Sequence, residues 1–260
     1  MSRRTVRLGD REVVRMGLGT NRLTRTPEHV AHIRAAVDSG IGLIDTAHLY
    51  TGGESEATIG EALADGRPAS VVVATKGGYQ PGEGRPDVLR AQIEQSLRQL
   101  RTETIELYYL HRVDPETPLE DSLGVIREFV DRGAIRLVGL SQVSVDVIKR
   151  AQTVVPIAAV QNHYNLRERG YDAVVDFCAS EGIVFVPFFP LRGIYDTVVG
   201  RLAAARGVTP SQVALAWLLR RSPAILPIPG SLSLPHVREN VAVLDLELTE
   251  AEFRELASAA

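Results

Sequence analysis

Residues 41–50 read I-G-L-I-D-T-A-H-L-Y, an apolar run that closes on Asp45, with Tyr50 five residues beyond. The pattern recurs. Residues 71–76, V-V-V-A-T-K, close on Lys76, and residues 106–111, E-L-Y-Y-L-H, close on His111. Apolar runs of this length, bounded by polar residues, read as parallel strands buried on both faces. The chain carries eight: Met16–Thr20, Ile41–Asp45, Val71–Thr75, Glu106–Leu110, Arg136–Leu140, Ile157–Gln161, Val184–Phe188 and Ile225–Ile228. Amphipathic segments separate them, among them Glu28–Ser39, Glu56–Ala64, Asp87–Leu100, Leu119–Arg132 and Tyr171–Glu181.

The punctuation agrees. Ser39-Gly40, Arg132-Gly133 and Glu181-Gly182 supply a glycine where a helix ends before a strand. Pro86, Pro118 and Pro210 stand near helix starts, where a missing N–H costs nothing. Ahead of the first run, T-V-R-L-G-D-R-E-V-V reads as a hairpin turning at Gly9-Asp10. A doubly wound sheet that binds a dinucleotide carries G-x-G-x-x-G in its first turn. Here M-G-L-G-T has the wrong spacing and T-G-G-E-S-E lacks the third glycine. The sequence therefore predicts an α/β fold: a single-domain (β/α)8 TIM barrel over residues 1–260, with an N-terminal β-hairpin.

A net charge of −3 offers no basic footprint for nucleic acid and no polybasic membrane patch. No run reaches the roughly 20 apolar residues that span a bilayer, and no signal-peptide pattern opens the chain. One cysteine, Cys178, permits a reducing compartment, so the expected location is cytoplasmic. His29, His32 and His163 lack the spacing of a metal site, and no metal is expected. G-E-G-R-P at 82–86 reads as a solvated loop, and Trp217, in A-L-A-W-L-L, as core.

In one sheet, Asp45, Tyr50, Lys76 and His111 emerge at the same edge. A phenol with a pKa near 10 gives up its proton poorly at neutral pH. A lysine beside it lowers that pKa, a carboxylate keeps the lysine charged, and a histidine shares a substrate oxygen. A lone Asp–Lys pair reads more readily as structure than as catalysis; four polar groups at four matching places read as chemistry.

The same stretches, with V-G-L-S, V-Q-N-H-Y-N-L, Q-V-A-L-A-W-L-L and I-P-G-S…H-V-R-E-N, resemble the strand-end motifs of the aldo-keto reductase superfamily over nearly the whole chain. The resemblance implies an NADPH-dependent carbonyl reductase, NADH remaining possible, with Asp45, Tyr50, Lys76 and His111 as its tetrad and Tyr50 as the acid. V-P-F-F-P-L-R-G and A-W-L-L-R-R-S-P are similar to a bacterial branch that includes pyridoxal reductases and pyridoxine dehydrogenases. Carried over, the cofactor positions are Gly19, Thr20, Asp45, Ser141, Gln161, Phe188, Pro190 and Leu191, with Gln142 where the family has asparagine. Ser231 would hold a 2′-phosphate, Glu239 and Asn240 the adenine. Gly230 and His236 stand where NADPH-preferring members carry Lys and Arg, and Arg238 is the candidate to restore that charge. Substrate-wall candidates are Leu49, Tyr79 and Arg112. L-R-G-I-Y-D-T-V-V-G passes almost directly from the seventh run into a helix, which suggests an open site. The expected partner is a small-molecule carbonyl, and the chain a monomer or small homo-oligomer. The alternative is a cofactor-binding, redox-sensing regulatory subunit resembling the potassium-channel β-subunits.

Overall fold

The computed structural model describes residues 4–66, 68–192, 194 and 196–259. Strands β1 (Thr5–Leu8) and β2 (Arg11–Val14) pair antiparallel, Leu8 opposite Arg11, so the turn is Gly9-Asp10. Gly9 turns at φ +61°, a left-handed value that glycine adopts without a Cβ penalty.

Seven parallel strands follow in sequential order: β3 (Gly17–Gly19), β4 (Leu43–Asp45), β5 (Val72–Gly77), β6 (Ile105–Leu110), β7 (Ile135–Ser141), β8 (Ile157–Gln161) and β9 (Val184–Phe185). The eighth run closes the ring without forming a regular strand. Towards β9, Leu226 donates to Phe185 and Phe185 to Ala224, both at 2.9 Å. Towards β3, Gly17 and Gly19 donate to the carbonyls of Pro227 and Pro229 at 2.9 and 3.3 Å. A proline returns no N–H, so half of that ladder is missing although the barrel is shut. β9 is likewise shorter than its run. Val186 and Phe188 still donate to Val160 and Asn162, at 2.8 and 3.1 Å, while Pro187 interrupts the regular pattern.

The helices are α1 (Pro27–Asp38), α2 (Glu54–Ala62), α3 (Pro86–Gln99), α4 (Leu119–Asp131), α5 (Val145–Gln152), α6 (Asp172–Glu181), α7 (Thr197–Arg206), α8 (Pro210–Arg221), α9 (Leu234–Ala242) and α10 (Glu250–Ser258). The five marked amphipathic segments coincide with α1, α2, α3, α4 and α6 to within two residues at each end. α10 was not anticipated. A capping box between Thr249 and Glu252 starts it. It docks on α7 and α8 through Arg206–Glu252 and Arg220–Glu250, at 2.5 and 2.6 Å, and by stacking Phe253 on Trp217.

Alternation along the strands divides the apolar core. Leu43, Val72, Ala74, Leu107, Tyr109, Ala159, Val184, Val186, Leu226 and Ile228 cluster in the lumen. Leu8 and Val13 of the hairpin join them and cap one end of the barrel. Ile44, Val73, Tyr108 and Leu110, one residue out of phase, pack on the helices, where Trp217 is fully buried as expected. Gly139 leaves room for the Tyr109 ring, which a Cβ would meet at 2.4 Å.

Candidate active site

The lumen phase, continued one position past the apolar layer, reaches Gly19, Asp45, Lys76, His111, Ser141, Gln161, Phe188 and Gly230. All but Lys76 line a cavity of about 630 Å³ at this end of the barrel. Lys76 lies directly beneath, fully buried, and donates to Asp45 Oδ2 at 2.8 Å and to the Thr46 carbonyl at 2.7 Å. The other Asp45 oxygen accepts from Gln161 Nε2 at 2.7 Å. Burial works against the lysine charge, but Asp45 and the Tyr50 hydroxyl outweigh it and hold the ammonium protonated.

Tyr50 comes from a tight turn after β4. Thr51, Gly52 and Gly53 occupy left-handed conformations at φ +49°, +64° and +92°. The Thr51 hydroxyl donates to the Leu23 carbonyl at 2.6 Å and accepts from the Ser55 amide at 3.1 Å. Ser55 also binds the Thr20 and Thr46 hydroxyls, at 2.9 and 2.8 Å, joining the ends of β3 and β4 to the start of α2. Lys76 Nζ stands 5.1 Å from the Tyr50 ring centroid, and the His111 ring 6.2 Å away, edge-on.

Lys76 draws the Tyr50 pKa down, but burial is the larger effect and the net displacement is upward. The acid form of Tyr50 is therefore the resting form. His111 is driven the other way: burial, then the charges of Lys76 and Arg112, push its pKa down to about 2. Its imidazole is neutral, and its buried Nδ1 has no hydrogen-bond partner among the described residues.

Leu49, Tyr79 and Arg112 all line the cavity, as do Thr20, Pro190 and Leu191. The Phe188 ring stacks on His163, 5.3 Å away and 14° from parallel, and offers a planar apolar wall. Gln142 does not line the cavity: at φ +57°, its side-chain oxygen accepts from the His163 amide at 2.8 Å. Ser231, Arg238, Glu239 and Asn240 lie beyond the lining, which ends at Gly230. Ser231 folds onto Ser233, whose amide it accepts at 3.0 Å, and Ser233, not Ser231, is the N-cap position of α9. Arg238 is exposed. Of the L-R-G-I-Y-D segment, Gly193 and Tyr195 lie outside the described residues.

The stretch at 82–86 is more than a solvated loop. The buried Asp114 carboxylate accepts from the Gly82, Gly84 and Glu116 amides, at 3.1, 2.9 and 3.0 Å, and from the Thr117 hydroxyl at 2.9 Å. This clasp joins the loops after β5 and β6, which carry Tyr79 and Arg112. Burial raises the Asp114 pKa, but these donors outweigh it and hold it below the ordinary value. Asp114 was not singled out from sequence, nor were Arg22, Phe189 and Arg192, which line the cavity.

The aldo/keto reductase family profile matches residues 15–260. Pyridoxine 4-dehydrogenase of Escherichia coli is 36% identical, the alignment covering 96% of this chain and 96% of that protein. Among solved structures, a thermostable aldo-keto reductase in complex with the inhibitor epalrestat superposes with a TM-score of 0.91 at 30% identity, over 98% of this chain and 99% of that one. An aldo-keto reductase from Klebsiella pneumoniae in complex with NADPH gives 0.89 at 30% identity, over 99% and 95%. The chain belongs to the aldo/keto reductase family and is an oxidoreductase.

Proposed function

We propose that the protein reduces the carbonyl of a small aldehyde or ketone to an alcohol, using NADPH and a proton from Tyr50. The observation that carries this reading is the ordering of charge at the cavity floor: Asp45 holds a buried Lys76 against Tyr50, and a neutral His111 stands across from it. Family membership supports the reaction class, and the NADPH complex of the Klebsiella enzyme supports the cofactor.

The residues fit a nicotinamide dinucleotide. Phe188 supplies a flat apolar face, the buried Ser141 hydroxyl and Gln161 amide supply polar partners, and Arg22 and Arg192 supply positive charge at the mouth. When bound, NADPH supplies the hydride that reaches the carbonyl carbon.

The protein's own groups manage the oxygen. Tyr50 and the neutral His111 donate hydrogen bonds to it as negative charge develops. Tyr50 then yields its proton, and the resulting phenolate is stabilised by Lys76, whose charge Asp45 anchors. Because the resting Tyr50 pKa is raised, the acid form persists across neutral pH, which suits reduction.

The test is NADPH oxidation with pyridoxal, simple aromatic aldehydes and keto-sugars, repeated with NADH. Tyr50→Phe is expected to lower turnover by about 10²–10⁴-fold while NADPH still binds. Turnover by that variant equal to the parent's would overturn the mechanism.

A further inference from the structure

We propose that Arg112 is the specificity-determining residue of this cavity and that it selects carbonyl substrates bearing a carboxylate. The inference rests on the carbonyl-reductase reading and adds the class of substrate. Arg112 is half-buried and held by one corner of its guanidinium. Nη1 donates to the His111 carbonyl at 2.7 Å and to Ser141 Oγ at 3.1 Å, and the planar group lies 5.2 Å from the Tyr79 ring centroid. Nε and Nη2, which form the fork that matches a carboxylate, donate to no group among the described residues.

The acids that could neutralise Arg112 are committed elsewhere. Asp114, two residues on, is taken up by the loop amides and Thr117. Glu83 accepts from the amides of Tyr79 and Gln80, at 2.9 and 3.0 Å. Asp45, the one carboxylate lining the cavity among the described residues, is bound by Lys76 and Gln161. Elsewhere the chain pairs its arginines readily: Arg150 forks onto Glu120, and Arg206 onto Glu252.

With Nη1 fixed, the open Nε–Nη2 edge is oriented to pair with an anionic group that enters the cavity. Arg22 and Arg192 share the cavity but are exposed at its mouth, whereas Arg112 is fastened to the backbone of His111. A ligand whose carbonyl reaches Tyr50 and His111 passes the exposed apolar rim of Leu49 and Tyr79. The substrate this defines has an apolar or aromatic body with the reacting carbonyl and a carboxylate on it.

The experiment compares kcat/KM for 3- and 4-carboxybenzaldehyde with their methyl esters, which keep the shape and remove the charge. At least one acid is expected to exceed its ester by about tenfold at low salt, with the advantage shrinking as ionic strength rises. In Arg112→Met that ratio falls to near one, and Arg112→Lys retains part of it. No acid preferred over its ester, or an undiminished preference in Arg112→Met, overturns the inference. So does an equal loss for acid and ester accompanied by weaker NADPH binding, which would assign Arg112 to the cofactor. Calorimetric binding of 3- and 4-carboxybenzyl alcohol and their methyl esters to the NADP⁺-loaded protein reads the same preference without turnover. If the parent reduces none of these aldehydes and none of the pyridoxal, simple aromatic aldehyde and keto-sugar panel, the carbonyl-reductase reading fails by itself. The calorimetric ratio of parent to Arg112→Met still decides the role of Arg112.

Discussion

Tyr50 and His111 face one cavity, and burial moves their proton affinities in opposite directions because their charged forms have opposite sign. Burial disfavours phenolate and imidazolium alike, so both groups rest neutral and both can donate a hydrogen bond. Residue types at strand ends were enough to nominate this set. They could not give the balance between Lys76 and burial, because depth is a property of the assembled barrel. For His111 the consequence reaches stability. Above about pH 6.5 the ring is neutral in folded and unfolded chains, and its titration contributes nothing. Below that, the unfolded chain takes up a proton that the folded chain refuses, so stability falls with falling pH. The loss is on the order of 2 kcal/mol at pH 5. Urea unfolding at pH 5 and pH 7.5 measures it. His111→Asn is expected to lose a correspondingly smaller amount across this interval, and an identical pH dependence would show that His111 does not carry the effect.

At the scale of elements, side-chain period explains what sequence made legible. Each apolar run alternates lumen and helix sides, so the polar residue two positions past a lumen residue emerges at the rim. That relation links Leu43 to Asp45, Tyr109 to His111 and Ala159 to Gln161, and it links Ala74 to Lys76, which stays buried just beneath the cavity. It holds for the eighth run too, from Ile228 to Gly230, where Pro227 and Pro229 hide the strand from any pattern of paired N–H groups. What stayed illegible depends on loops meeting loops: Asp114 gathers amides more than 25 residues away, and Arg22 and Arg192 reach the cavity from separate connections. The turn bearing Tyr50 depends on such a meeting as well. Gly53 sits at φ +92°, and a Cβ there would meet the Gln99 amide nitrogen at 2.6 Å. Gly53→Ala is therefore expected to cost roughly 1–3 kcal/mol in urea unfolding through backbone strain. It should also lower kcat by moving Tyr50, while Gly124→Ala, with open space around its Cβ, does neither. Unchanged stability and turnover in Gly53→Ala would mean the turn does not fix the tyrosine.

Across the whole molecule, the two ends of the chain hold each other. Arg15, buried between β2 and β3, donates to the carbonyls of Leu219, Ser222 and Ile225 at 2.9, 2.6 and 2.9 Å. The backbone of β3 meanwhile bonds the proline carbonyls of the last stave. A ring closed in this way loses its first and last elements together, so we propose that residues 1–260 unfold as one cooperative domain. The chain carries its own probes. Trp217 is its single tryptophan and Cys178 its single cysteine, both fully buried, and burial pushes the thiol pKa up to about 12. Trp217 fluorescence, Cys178 reactivity and far-UV circular dichroism, followed through a urea titration, are expected to share one midpoint. Arg15→Met leaves three carbonyls, those of Ser222 and Ile225 buried and that of Leu219 half-buried, without this donor and should shift all three probes together, by roughly 2–5 kcal/mol. If circular dichroism were lost ahead of Trp217 and Cys178, other elements would be opening while α6 and α8 stayed packed, and the barrel would not be a single cooperative unit.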